Sequence, residues 1–260
     1  MKNDLTISIV AYRNYEDIRI AIKSIEEFTN EKILKKIYIV DNSCFCDEPE
    51  ELTDFKRFVS QYCDVMYIDA GENLGFGRGH NYVLPQIQSR FHAIVNPDIE
   101  LKEDAFSALI GYMDDHGDVG MCIPRIVDKN GELQKVYRKE VTVFDMFIRM
   151  FCKGMFKKRQ AEHTLQNEDY SKPFQVPFGQ GSFLLIRTEL WKKIDGFDDR
   201  YFMYLEDADL CKRVNQVSKL MYCPDATVIH KWEKGSHKSR KLFLIHLKSM
   251  MLYFVKWGFR

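Results

Sequence analysis

No run of apolar residues in this sequence reaches the roughly 20 that a membrane-spanning helix needs, so a span of that kind is not expected. An excess of one charge is missing too: 38 Lys and Arg stand against 38 Asp and Glu, for a formal net charge of 0. A global field that gathers polyanions is therefore not part of the design. No nucleic-acid recognition motif accompanies the basic residues that are present. The seven cysteines form no framework; Cys44 and Cys46 are close, but no second pair stands at zinc-site spacing. They read as free thiols of a reducing compartment. The first residues enter an apolar strand directly, without a signal-like region, and neither a repeat nor a low-complexity tract follows. The expectation is a cytoplasmic protein.

What the chain does have is length and order. Its 260 residues fit one large α/β domain, or such a domain with an elaborated second half. Strand-like runs at Thr6–Ala11, Lys36–Val40, Val65–Ile68 and Phe91–Asn96 alternate with helical spacing over Tyr15–Phe28, Glu50–Tyr62 and Gly79–Gln88. Such alternation predicts a mostly parallel sheet covered by helices, with ligands gathering beyond the carboxyl ends of the strands. The second half is less regular. It carries a hairpin-turn signal at Lys129–Glu132, an aromatic helix over Val141–Met155, a polar loop over Ala161–Lys172, a strand at Ser182–Ile186 and a short helix over Glu206–Val214.

The strand ends carry the chemistry. Phe91-His-Ala-Ile-Val ends at Asn96-Pro97-Asp98, and Pro97 stiffens the turn so that two hard oxygen ligands can converge on one ion. A divalent cation that grips a diphosphate wants few carboxylates and open positions for phosphate oxygens. The competing reading is a turn cap before a helix over Leu101–Tyr112. Asp41, at another strand end, could accept hydrogen bonds from a base or ribose, or merely cap the Asp-Asn-Ser turn. In Glu72-Asn-Leu-Gly-Phe-Gly-Arg-Gly-His-Asn81, Gly75, Gly77 and Gly79 could let backbone approach a ligand and Arg78 could meet a phosphate; a flexible loop is the alternative.

A second acidic cluster, Glu206-Asp-Ala-Asp209, opens a helix, where the dipole favours acids without any functional cause. Upstream lie Asp195-Gly-Phe-Asp198 and Tyr201-Phe-Met-Tyr204. Aromatic residues followed by adjacent carboxylates suit an acceptor pocket with a general base at its floor. His230 ends the apolar run Val228-Ile-His and is either a core histidine or a further metal ligand.

Taken in order, Ser8-Ile-Val-Ala-Tyr-Arg-Asn14, Val40-Asp-Asn-Ser43, Asn73-Leu-Gly-Phe-Gly77, Asn96-Pro-Asp98, Phe178-Gly-Gln-Gly-Ser-Phe-Leu-Leu-Ile186, Gly196-Phe-Asp198 and Tyr201–Leu210 resemble family 2 glycosyltransferases of the GT-A fold. The branch most resembled is that of bacterial rhamnosyltransferases, which build O-antigens and other surface polysaccharides. The resemblance spans about residues 5–232 and implies a GT-A domain over 1–232. It implies that Ala11, Tyr12 and Asp41 line the nucleoside site, with Asn73, Gly75, Arg78 and Asn96 also on the donor. Asp98 and His230 would hold Mg²⁺ or Mn²⁺. Asp207 would be the catalytic base, with Glu206 beside it to position acceptor or donor. Asn96 departs from the Asp that opens the family's metal motif. The implied activity is inverting transfer of a sugar, L-rhamnose from dTDP-rhamnose, to a lipid-linked saccharide acceptor. A hexose or galactofuranose from a UDP-sugar is the alternative donor group, and an inactive nucleotide-sugar-binding partner protein is the alternative class.

Over residues 231–260 eight basic residues meet one acid, Glu233. Leu242, Ile245, Met250, Tyr253 and Trp257 mingle with Lys241, Lys248 and Lys256, so residues 233–260 are expected as a basic amphipathic helix. Such a helix can lie on an anionic membrane surface at the inner face of the cell membrane, or pack on the domain with its basic side outward.

Overall fold

A computed structural model describes residues 3–151, 156–231 and 240–259. The expected boundary at 232/233 and the last residues of the expected Val141–Met155 helix lie outside them. Near-continuous apolar runs form the centre, as strands buried on both faces require. β1 (Leu5–Ala11) pairs in parallel with β2 (Lys35–Asp41) on one side and β4 (Phe91–Val95) on the other, while β3 (Val65–Asp69) extends the sheet beyond β2. α1 (Tyr15–Phe28) turns Ile18, Ala21, Ile22 and Ile25 inward, and α2 (Glu50–Val59) buries Leu52, Phe55, Phe58 and Val59. These contacts fix the first four strands and first two helices close to where they are expected.

The third helix does not follow its sequence pattern. α3 spans Phe76–Asn81, three residues earlier than the spacing predicts. The reason is tertiary: Gly75 sits at φ 79°, and a Cβ there would stand 2.1 Å from the Phe202 carbonyl oxygen. Only glycine fits, and Phe76 N–H then donates to that same oxygen at 3.0 Å, which starts the helix.

β5 (Ile99–Leu101) follows β4 closely, and α4 runs over Ala105–Asp115 with Asp104 accepting from Ser107 N–H at its N-terminus. β6 (Val119–Val127) leads into the expected turn, closed by Gly131 N–H on Asp128 O and by a bridge from Val127 to Leu133. β7 (Tyr137–Arg138), α5 (Val143–Phe151) and α6 (Lys157–His163) follow, the last reaching into the stretch expected as a loop. β8 (Phe174–Gln175) and β9 (Phe178–Gly179) are short, and β9 pairs with β7 in a separate two-stranded sheet. β10 (Phe183–Arg187) inserts antiparallel between β4 and β6. α7 (Thr188–Lys193), α8 (Glu206–Val217), β11 (Lys219–His230) and α9 (Arg240–Trp257) complete the described chain. The main sheet has nine strands in the order β3-β2-β1-β4-β10-β6-β11-β5, with β8 on β11.

One feature under this sheet escaped the sequence. Thr6 Oγ1 meets Ser89 Oγ at 2.7 Å and His92 Nδ1 at 2.9 Å; Ser8 Oγ meets His92 Nε2 at 3.0 Å and His80 Nδ1 at 2.7 Å. All five residues are buried, so a polar chain crosses the apolar core between β1, β4 and α3. Burial drives both histidines toward the neutral form, His92 down to about 3 and His80 well below its ordinary value.

Candidate active site

The carboxyl ends of β1, β2 and β4 supply Ala11, Tyr12, Asp41, Asn96 and Asp98. Ala11 is buried and registers opposite Asp41, while Tyr12 projects with 53% of its surface exposed. Asp41 is strongly engaged. Its Oδ2 accepts from Tyr15 at 2.7 Å and Tyr67 at 2.8 Å, and its Oδ1 from Ser43 N–H at 2.9 Å. Burial raises both phenols, and the adjacent carboxylate adds to the shift. A cleft of about 60 Å³ lies beside Asp41, lined also by Phe45, Glu48 and Tyr67. Both readings of Asp41 are thus compatible: it ties the strand ends together and borders an open edge.

In the glycine loop the close approaches are made by the chain itself. Gly75 faces Phe202, Gly77 faces Phe197 and Gly79 faces Val10. Asn73 Oδ1 accepts from Gly75 N–H at 3.0 Å and so shapes the bend. Arg78 is exposed and 3.7 Å from Glu72, a loose pair that leaves its guanidinium able to turn toward an anion.

At Asn96-Pro97-Asp98 the helix-cap alternative is removed, because Asp104 caps α4. β11 runs antiparallel to β5 with His230 opposite Ile99, and Lys231 N–H donates to the Asp98 carbonyl at 3.0 Å. This register carries the His230 imidazole to the Asp98 side chain, Nε2 to Oδ1 3.3 Å. His230 is 1% exposed and Asp98 lies partly open. Asn96 Oδ1 is buried with no hydrogen-bond partner among the described residues. A carboxylate, an imidazole and an unused amide oxygen at one strand tip fit a hard divalent cation. Among the described residues no group of three or more His, Cys, Asp or Glu gathers at ligand spacing, so phosphate and water oxygens would complete its shell.

The second acidic cluster is tied to this tip through the backbone. Asn96 N–H donates to the Ser182 carbonyl at 2.8 Å, and the preceding residue, Gly181, donates its N–H to Asp207 Oδ2 at 3.2 Å. Ala208 N–H meets Asp207 Oδ1 at 2.8 Å. Glu206 is almost wholly buried, and its Oε2 has no partner among the described residues. Burial raises Glu206 well above the carboxylate range, and the neighbouring Asp207 charge adds to it. Burial also raises Asp207, while the Gly181 and Ala208 N–H groups and the Arg138 charge pull it back. The more deeply buried carboxyl, Glu206, therefore keeps the proton, and Asp207, held by the Gly181 and Ala208 N–H groups beside the Arg138 charge, releases it first, which is how two adjacent acids divide into two roles.

α8 is entered through strained backbone. Tyr204 and Leu205 both lie in the left-handed region, at φ 71° and 65°. Asp209 follows in the first turn, fully buried, accepting from Arg213 Nε at 2.8 Å, Lys256 Nζ at 2.6 Å and Trp257 Nε1 at 2.8 Å. Tyr204 stacks on His246 with centroids 4.8 Å apart, and Ser249 Oγ donates to the Met203 carbonyl at 2.7 Å. α9 is thereby built into the wall around the acidic cluster. Sequence reading missed Gln134, Arg138, Ser182 and this clamp. Only Ser182 had a signal, its place in the Phe178–Ile186 motif. A groove of about 630 Å³ along α8, lined by Glu140, Gln175, Lys212, Asn215 and Trp257, contains none of the expected site residues.

A curled, mostly parallel sheet whose cation-competent tip is joined through Ser182 and Gly181 to the Glu206–Asp207 pair defines a GT-A glycosyltransferase architecture. The fold is similar to that of GalNAc-T7 with UDP, GalNAc and Mn²⁺, at TM-score 0.68 and 14% identity over 96% of this chain and 48% of that one. It is also similar to the mannosyltransferase PcManGT of Pyrobaculum calidifontis with GDP-Man and Mn²⁺, at TM-score 0.65 and 14% identity over 99% and 64%. Residues 6–195 match the model of glycosyl transferase family 2, and the chain belongs to that family. It is 28% identical over 215 residues to the rhamnosyltransferase WbbL of Escherichia coli K12, covering 77% of each chain. It is 28% identical over 186 residues to the N-acetylglucosaminyl-diphospho-decaprenol L-rhamnosyltransferase of Mycobacterium tuberculosis, over 66% of this chain and 60% of the relative.

Proposed function

We propose that this chain is an inverting rhamnosyltransferase that moves L-rhamnose from dTDP-rhamnose to a lipid-linked saccharide acceptor in bacterial surface polysaccharide synthesis. The observation that carries the reading is the split acidic pair: Asp207, held by two backbone N–H groups and linked through Gly181 and Ser182 to the turn that bears Asn96 and Asp98. The names of the two rhamnosyltransferase relatives support the sugar, and the decaprenol of the second supports a lipid carrier. A hexose from a UDP-sugar is the second reading, favoured by 25% identity over 243 residues to the hexosyltransferase Agl10 of Haloferax volcanii.

Asp207 takes the proton from an acceptor hydroxyl as that oxygen bonds to the anomeric carbon. The bond from that carbon to the diphosphate oxygen breaks on the opposite face, and the electron pair leaves with the nucleoside diphosphate. Ala11, Tyr12 and Asp41 border the nucleoside, Asn73 and Gly75 shape the loop that carries Arg78 toward phosphate, and Glu206 stays protonated to donate to a sugar oxygen. Asp98 and His230, with Asn96 beside them, would hold Mg²⁺ or Mn²⁺; the Mn²⁺ bound by the structural neighbours supports a divalent ion. Such an ion offsets charge developing on the leaving diphosphate. The site works at the inner face of the membrane; no helix among the described residues is long and apolar enough to cross it, and α9 turns an apolar, basic-flanked side outward. The domain reading is 1–232 for catalysis with 233–260 as the surface element.

The test is a panel of dTDP- and UDP-sugars in thermal shift with and without Mn²⁺, followed by transfer assays on Asp207→Asn. A bound ligand raises the melting temperature. dTDP-rhamnose should stabilise both proteins, and the variant should lose about 10²–10⁴-fold in turnover. Full turnover by the variant removes Asp207 from the role.

A further inference from the structure

β6 and the turn that follows it bring Gln134 to the cation-competent strand tip. Gln134 N–H donates to the Ile126 carbonyl at 2.9 Å, so its backbone is fixed on β6, which pairs with β11. Its side chain then makes two contacts with one residue. Nε2 lies 2.7 Å from the His230 carbonyl oxygen, and Oε1 lies 3.0 Å from His230 Nδ1.

These two contacts fix the hydrogen on Nδ1. A backbone carbonyl can only accept, so the amide nitrogen must be the atom that faces it. The amide oxygen therefore faces the ring, and it too can only accept. Nδ1 must carry the hydrogen, which in a neutral imidazole leaves the lone pair on Nε2. That lone pair points toward Asp98 Oδ1 at 3.3 Å. Two acceptors this close repel unless a positive centre lies between them, and the spacing suits two ligands of one small cation.

We propose that Gln134 is the positioning residue that locks His230 in its Nδ1–H tautomer and so keeps Nε2 available as a ligand nitrogen. The inference rests on the reading of Asp98 and His230 as the cation-holding pair and adds the residue that makes the histidine competent. Partners of this kind, one shell out from the metal, typically change metal affinity by 10–100-fold.

Two measurements on the full chain test it. Long-range ¹H–¹⁵N correlation at pH 8, with His230→Gln to assign the signals, reads the tautomer of the metal-free wild type. Nδ1–H is expected, and either Nε2–H or a doubly protonated ring overturns the proposal without need of a variant at 134. Mn²⁺ binding in the presence of dTDP, followed by electron paramagnetic resonance, then compares wild type with Gln134→Leu. The variant should lose about 10–100-fold in affinity and its ring should lose the pure Nδ1–H signature. Unchanged binding by Gln134→Leu overturns the proposal while leaving the cation site standing. If the wild type itself binds no Mn²⁺, the cation reading falls, and the affinity part of the proposal falls with it.

Discussion

Trp257 donates its indole N–H to Asp209 at 2.8 Å across 48 residues of sequence. The last turn of α9 is thus joined to the first turn of α8, two residues after the acid assigned as base. Lys256 strengthens the joint by bridging Asp209 at 2.6 Å and Asp198 at 2.7 Å. Because Asp209 is fully buried, a lost donor there is not replaced by water.

Trp257→Phe keeps the apolar bulk and removes that donor. Hydrogen bonds to charged groups are worth about 1.5–3 kcal/mol, and with Lys256 and Arg213 still in place the loss should sit near the lower end. Urea unfolding should show it, and turnover should fall more than donor affinity. A variant of unchanged stability would mean that α9 is only laid on the surface.

Glu206→Gln should stabilise the protein, and increasingly so as pH rises. Burial holds the folded-state Glu206 well above its unfolded value. Its favourable contribution is therefore complete only below the unfolded value and is lost as pH climbs toward the folded one. Glutamine cannot ionise, so the melting-temperature gain over wild type should grow from pH 5 to pH 8. A gain that shrinks over that range contradicts the assignment of the proton to Glu206.

The buried histidines set the acid limit. His92 and His80 are held neutral in the fold, with His92 down to about 3. Below the ordinary value near 6.5 the unfolded chain takes up protons that the folded chain refuses. Stability is therefore present above that pH and falls below it, by about 1.4 kcal/mol per pH unit for each histidine. Denaturation midpoints between pH 7 and 4 measure the slope. His92→Gln, even at lower overall stability, should flatten it.

Along the outward side of α9, Leu244, Met251 and Val255 are 63%, 54% and 71% exposed, with Arg240, Lys241 and Lys248 beside them. The helix contains no acid. Co-sedimentation with anionic vesicles at low salt should capture the protein, and Leu244→Glu with Met251→Glu should release it. Equal recovery of both from the supernatant would leave this face without a lipid partner.

Much of the first half was legible, because buried parallel strands read as apolar runs and end in the residues that matter. Asp98 and His230 were each visible at a strand end, but their meeting depends on the pairing of β11 with β5, which no local pattern encodes. Gln134 was hidden for the same reason: the turn at Asn130-Gly131 was readable, yet not the strand its far side would lie against. α3 began early because Phe202, more than 120 residues on, supplies its first hydrogen-bond acceptor and forbids a side chain at Gly75. The polar chain through Ser8, His80 and His92 lay inside strand and helix patterns, where single polar residues look incidental. Long-range partners explain each of these gaps.

Tyr204 and Leu205 hold two successive left-handed conformations just before the acidic pair, and L-residues adopt these at about 1–2 kcal/mol each. Heat-resistance screening of random libraries would thus be drawn to glycine or asparagine at Tyr204, easing the bend while loosening the aim of the carboxylates behind it. Robust variants obtained that way should be sluggish catalysts, a trade that ranking by melting point alone would conceal.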